Sequence, residues 1–269
     1  AHEISDVALL FNAALGFVAF SLTASAVYLV NDLADLDNDR GHSRKCRRPF
    51  AAGDIPLYYG VFLSPLLLTV SFLIASYVNN GFLLWLVAYL CITTLYTFVL
   101  KKLVLVDCLT LAFLYTLRIM AGAAAIEQVI SFWLVAFAVF LFLSLAFIKR
   151  NAEISSADVM ENGQISGRGY SKGDGPLVLV MGVAACYSSV TVFALYLNSE
   201  AITLLYKLPE VMWAQVPILL FWMSWMWLQS HRANMHDDPL VFAMKDKVSL
   251  ICGLMFGLVG VIASVGLPL

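Results

Sequence analysis

Residues 31–53 read NDLADLDNDRGHSRKCRRPFAAG, and this run decides how the chain is read. It follows directly on the apolar stretch 7–30 and is the densest charge cluster in the chain. Asp32, Asp35 and Asp39 stand at i, i+3 and i+7, which puts them on one face of a helix with Asn31 at its edge; Asp37 points elsewhere. Carboxylates crowded on one face repel one another unless a cation lies among them. Hard oxygen ligands favour Mg²⁺, which commonly shares its shell with substrate phosphates. The basic half follows with His42, Lys45, Arg47 and Arg48, then Pro49 and Gly53 to turn the chain back. It reads as an anion clamp, because arginine grips phosphate through two nitrogens and lysine acts as a point charge. The plainer reading is a solvated helix end flanked by topology-setting arginines, and Arg40 and Arg44 fit that role.

Outward from this run the 269 residues are 61% hydrophobic and only 13% charged, with mean hydropathy +0.86. A soluble domain carries about 25% charged residues. Eight stretches, 7–30, 57–78, 82–100, 104–126, 131–148, 175–197, 211–228 and 248–267, are long enough to cross about 30 Å of hydrocarbon as helices. They are continuously apolar and lack the alternation of a membrane β-barrel. The fold class is therefore an all-α integral membrane bundle. Segments 31–56, 101–103, 149–174 and 229–247 hold 14 of the 16 Lys and Arg, whereas 79–81, 127–130 and 198–210 hold only Lys207. The positive-inside bias puts the 31–56 run in the cytoplasm of a multi-pass plasma (inner) membrane protein, with both chain ends outside and the chemistry on the cytoplasmic face. The few basic residues, scattered between spans, point away from nucleic acid. The five cysteines lack metal or disulfide spacing and read as packing residues.

Further constellations lie on the same side. FIKRNAEI, 147–154, brings Lys149, Arg150 and Glu153 out of the fifth span together, with Lys149 and Glu153 one turn apart. A helix-end ion pair is the bland alternative there. ENGQISGRGYSKGDG, 161–175, combines five glycines with Arg168 and Lys172, as a phosphate cradle or a plain flexible connection would. In the fourth span Asp107 and Arg118 are eleven residues apart, on nearly one face, with Tyr115 close to it. Arg118 then lies about 16 Å deeper than Asp107. A charge that deep faces the bundle interior and is functional by default, with a structural interhelical pair as the alternative. Tyr96, Lys101 and Lys102 end the third span next to this surface. The segment 229–247, with His231, His236, Asp237 and Asp238, reads as a polar helical hairpin or lid.

NDxxDxxxDRxHxxKxxRPxAxG at the end of a membrane helix resembles the UbiA superfamily of intramembrane prenyltransferases, and more narrowly its decaprenyl-phosphate phosphoribosyltransferase branch. Asp107, the LRxxAG around Arg118, the KRxAE of Lys149 to Glu153 and the GRGY of Gly167 to Tyr170 extend the likeness over most of the chain. The resemblance implies nine helices around a central cavity, with the aspartate motif closing the second. Here the motif closes the first of eight, so residues 1–269 are expected to form a single UbiA-like transmembrane domain that lacks the family's first helix. Typical members carry a second aspartate motif, DxxxD, after the sixth helix. The corresponding loop here offers Lys149, Arg150 and Glu153 instead, as the phosphoribosyltransferase branch does.

The resemblance implies phosphoribosyl pyrophosphate as donor and a polyprenyl phosphate as acceptor. Asp32, Asp35 and Asp39 would hold Mg²⁺ against the pyrophosphate, assisted by Asn31, while Lys45 and Arg48 grip it. Arg118, Lys149, Arg150 and Arg168 are candidates for the 5-phosphate or the lipid phosphate. Glu153 and Asp107 would orient these cations or bind ribose hydroxyls; Tyr96, Lys102 and Tyr115 complete the expected substrate-binding set. A homo-oligomer stays open. The rival reading is a prenyltransferase that uses a polyprenyl diphosphate to alkylate an aromatic or other acceptor. A transporter is disfavoured because the charges gather on one face rather than near the midplane.

Overall fold

The computed structural model describes residues 6–41, 45–156, 169–235 and 238–266. Eight long helices dominate: α1 (Val7–Ala34), α2 (Leu57–Val78), α3 (Asn80–Phe98), α4 (Val106–Ala125), α5 (Phe132–Ser156), α6 (Gly175–Leu197), α7 (Gln215–His231) and α8 (Lys247–Val265). All eight, α7 counted together with the turn Pro209–Ala214 that leads into it, are long and apolar enough to cross a membrane, and no strand occurs among the described residues. Large apolar side chains such as Phe62, Leu73 and Leu254 are exposed on the outside of the bundle, as a lipid-facing surface requires. The protein is a multi-pass membrane protein.

Several helix limits depart from the apolar stretches for local reasons. Asp6 caps α1, its Oδ1 accepting from the Ala8 and Leu9 amides at 2.9 and 3.3 Å. α1 runs past its apolar stretch to Ala34, so Asn31 and Asp32 sit in its last turn. Asp35 then breaks the helix (φ −95°, ψ 7°) before a short second helix, Leu36–Arg40. Likewise α5 continues two turns beyond its expected end at 148 and carries Lys149, Arg150 and Glu153 on regular helix. A 3₁₀ turn, Pro209–Ala214, leads into α7. Asn79 staples α3 to α4: its Oδ1 accepts from the Phe82 amide (2.7 Å) and its Nδ2 donates to the Ala124 carbonyl (2.9 Å).

Two packed groups share α4. In the first, α1 to α4 meet around Ala19, Ala75, Phe82, Leu86, Ala121 and Ala125. In the second, α4 to α8 meet around residues such as Cys108, Phe147, Ile148, Cys186, Met223 and Trp227. Small residues and buried hydroxyls hold the helices close, as expected where lipid competes for apolar contact. Ser71 donates to the Ala19 carbonyl (2.6 Å) and pairs with Thr23 (2.7 Å), joining α2 to α1. The Trp227 indole lies where a β-carbon on Gly182 would sit; its Nε1 donates to Ser144 (3.0 Å), which donates to the Gly182 carbonyl (3.0 Å). Beside the first group a cavity of about 450 Å³ opens, lined by α1, Phe82 of α3 and the second half of α4.

Candidate functional site

The aspartate run folds into a cation-bridged cluster at the end of α1. Arg48 Nη1 donates to Asp32 Oδ1 at 2.9 Å and to Asp39 Oδ2 at 2.7 Å, so one guanidinium nitrogen joins two carboxylates. Asp39 is buried and Asp32 half-buried. Asp35, at the bend in the backbone, is held by a different cation: its Oδ1 receives Lys101 Nζ at 2.6 Å from beyond the end of α3. Asn31 sits in the last turn of α1, where its carbonyl accepts from the Asp35 amide at 2.9 Å. Among the described residues no three His, Cys, Asp or Glu side chains converge closely enough to form a ready-made metal site. The donor chemistry nevertheless fits a hard divalent ion: Asp32 and Asp39 already converge on one positive centre, and Asp35 adjoins them.

A second network is buried at the junction of α4 and α5. Asp107 and Arg150 are both fully buried and paired, with Arg150 Nη2 2.5 Å from Asp107 Oδ2. Arg150 Nη1 also pairs with Glu153, whose carboxylate is one-third exposed (34%). The Tyr170 hydroxyl donates to Asp107 Oδ1 (2.6 Å) and accepts from the Leu105 amide (2.9 Å), while its ring lies 5.2 Å from the Arg150 guanidinium. Burial, and then the bond to Asp107, pushes the Tyr170 phenol well above its ordinary range, so it keeps the proton it donates. Leu105 is held at φ +66°, a costly conformation for a residue with a β-carbon, as the chain turns sharply into α4. The network thus ties Tyr170 to the start of α4 and holds the Arg150 guanidinium between Asp107 and Glu153.

Lys149 and Arg118 form the remaining charged features. Lys149 Nζ lies 2.7 Å from Asp238 Oδ2, on the segment between α7 and α8. Arg118, inside α4, is caged by aromatic rings, 4.6 Å from Tyr115, 5.5 Å from Tyr89 and 6.0 Å from Phe20. It donates to the Tyr89 hydroxyl at 3.2 Å, its Nε has no hydrogen-bond partner among the described residues, and it lines the large cavity. Tyr115 stacks on Phe142 at 5.1 Å and also borders a small pocket beside Lys149 and Asp238, linking the two features.

The model of the UbiA prenyltransferase family matches residues 1–251. The chain belongs to this family. An uncharacterized protein of Sinorhizobium fredii, y4nM, is 39% identical over 239 residues, covering 88% of this chain and 46% of that protein. The nodulation protein NoeC of Azorhizobium caulinodans is 32% identical over 249 residues, 91% of this chain and 80% of that protein. The decaprenyl-phosphate phosphoribosyltransferase of Mycobacterium tuberculosis is 35% identical over 152 residues, 56% of this chain and 50% of that enzyme. The chain therefore spans about half the length of the first and third of these relatives. The solved structure of a UbiA homolog from Archaeoglobus fulgidus bound to GPP and Mg²⁺ superimposes with TM-score 0.67, over 92% of this chain and 84% of that one, at 17% identity. At that identity the likeness establishes a UbiA fold.

Within this UbiA fold the expected residues divide. Asp32, Asp35, Asp39 and Arg48 gather at the end of α1. Asp107, Arg150 and Glu153 gather at the α4–α5 junction, and Lys149 with Tyr115 beside it. Tyr96 is half-buried against the Tyr89, Leu114 and Leu117 cluster. Lys102 is exposed, and its neighbour Lys101 makes the contact to Asp35. Arg168 and the Lys45 side chain lie outside the described residues. Tyr170 and Asp238 were not among the expected site residues. Tyr170 belonged to the quoted GRGY, and Asp238 to the polar 229–247 segment, so residue type marked both, whereas their partners are set by tertiary contact.

Proposed function

We propose that this UbiA family member transfers 5-phosphoribose from phosphoribosyl pyrophosphate to a polyprenyl phosphate at the cytoplasmic face of the plasma membrane, with Mg²⁺. The observation that carries this reading is the pair of charged centres. One is the Asp32–Arg48–Asp39 cluster with Asp35 and Lys101; the other is the Lys149–Asp238 pair beside Glu153. A donor with a pyrophosphate at C1 and a phosphate at C5 has an anionic group for each, whereas a prenyl diphosphate has one. The partial likeness to decaprenyl-phosphate phosphoribosyltransferases supports the same choice.

In this reading Asp32, Asp35 and Asp39 would hold Mg²⁺, which when bound stabilises charge on the departing pyrophosphate. Arg48 and Lys101, released from the carboxylates, face the same group. The C1–oxygen bond breaks with its electron pair leaving on pyrophosphate, and a lipid phosphate oxygen forms the new bond to C1. That oxygen is already anionic at pH 7, so no general base is required. The 450 Å³ cavity, lined by Phe17, Phe20, Tyr28 and Phe82, offers apolar room for an isoprenoid chain. The same cavity also suits the prenyl chain of a diphosphate substrate, which keeps prenyl transfer to an aromatic or other acceptor as the second reading. A paired assay decides: pyrophosphate release is expected with phosphoribosyl pyrophosphate plus polyprenyl phosphate and is lost in excess EDTA. Release from a prenyl diphosphate plus a small acceptor instead would select the second reading.

A further inference from the structure

Asp238 holds two positions at once. Its Oδ1 accepts the Leu240 amide at 3.1 Å, capping the short helix Pro239–Lys245, while its Oδ2 takes Lys149 Nζ at 2.7 Å. The carboxylate therefore fixes both where that helix begins and where the lysine ammonium points. The pocket between them, bordered by Tyr115, Phe142, Lys149, Asp238, Pro239 and Leu240, measures only about 20 Å³. That is room for about one water molecule. It is too small for a phosphate group. An anion that takes the place on Lys149 now held by Asp238 displaces that carboxylate, the same group whose other oxygen caps the Pro239–Lys245 helix.

We propose that Asp238 is a positioning residue that occupies Lys149 in the free protein and is exchanged for a phosphate monoester, so that ligand binding loosens the Pro239–Lys245 helix from the end of α5. This rests on the proposed reading of Lys149 as an anion-binding residue. The ligand chemistry is a phosphate monoester dianion, supplied either by a phosphorylated sugar from the water side or by a prenyl phosphate from the membrane. The exchange is inexpensive because both partners are partly exposed, at 34% and 27%. Pairs of this kind are worth little in water-facing positions.

The test is equilibrium binding to the intact chain in lipid nanodiscs, with ribose 5-phosphate in one arm and citronellyl phosphate in the other. Asp238→Asn keeps a side-chain oxygen for the Leu240 amide, since asparagine caps helices as well as aspartate does, but removes the charge that competes for Lys149. It is expected to tighten at least one arm by about five-fold, the scale of a partly exposed ion pair. The arm that tightens identifies the source of the phosphate. In a Lys149→Gln background the same substitution should change nothing. Loss of affinity in Asp238→Asn, unchanged affinity in both arms, absence of binding to either probe, or a gain that persists without Lys149 overturns the proposal. A gain in affinity is not what damage to a structural contact produces. Neither arm requires turnover, so a positive result alongside failure of phosphoribosyl transfer would contradict the reaction and leave the Asp238 exchange standing.

Discussion

Asp35 and Asp107 illustrate two uses of a carboxylate in one membrane protein. Asp35 sits at a helix break, half-buried, and meets Lys101, a contact that the donor would replace in the proposed reaction. Asp35→Asn keeps the shape and removes the charge. We expect it to lower turnover by about 100-fold or more, the cost of deleting one group that stabilises developing charge, with little change in thermal stability. Pyrophosphate release and a melting curve on the same sample check both halves. Asp107 is fully buried against Arg150 and Tyr170. Asp107→Ala leaves the Arg150 charge buried without this partner, which destabilises by about 3–5 kcal/mol. The melting temperature in detergent should fall markedly, and activity with it. Unchanged stability would return Asp107 to a ligand-binding role.

At the scale of elements, the helices were legible because apolar length and flanking charge mark membrane spans, and the i, i+3, i+7 spacing marked the aspartate helix. The departures have local causes. At the bend, Asp35 pairs with Lys101 rather than with the Arg48 that joins Asp32 and Asp39. Lys101 rather than Lys102 reaches Asp35, and only the 3₁₀ turn Leu100–Lys102 decides between adjacent lysines. The polar end of α5 remains helical because Arg150 and Asn151 find buried partners in Asp107 and Ser230. Pairings such as Tyr170 with Asp107, 63 residues apart, and Lys149 with Asp238, 89 apart, leave no periodic trace in sequence. Gly169 shows how tightly segment 169–175 is seated: a β-carbon there would lie 2.6 Å from the Lys102 carbonyl oxygen. Gly169→Ala should therefore shift this segment off the start of α4 and reduce activity several-fold while the bundle stays folded. Wild-type kinetics in this variant would contradict the tethering role of Tyr170.

For the whole molecule, a two-part bundle sharing α4 carries the charged cluster at the end of α1, the helix that also lines the 450 Å³ cavity, an arrangement the proposed joining of a water-soluble donor to a lipid would use. Gly122 lines that cavity and faces open space, with nothing within 4 Å of an added β-carbon. Gly122→Phe should raise KM for a long-chain polyprenyl phosphate while leaving KM for the soluble donor near its wild-type value; equal effects on both would place the lipid elsewhere. Phosphoribosyl transfer itself is tested most directly by mass spectrometry of the lipid fraction after incubation with phosphoribosyl pyrophosphate and decaprenyl phosphate. The account predicts decaprenyl-phosphoryl-5-phosphoribose, formed in step with pyrophosphate and absent in Asp35→Asn. An unmodified lipid phosphate, together with a prenylated acceptor when a prenyl diphosphate is supplied, would contradict it.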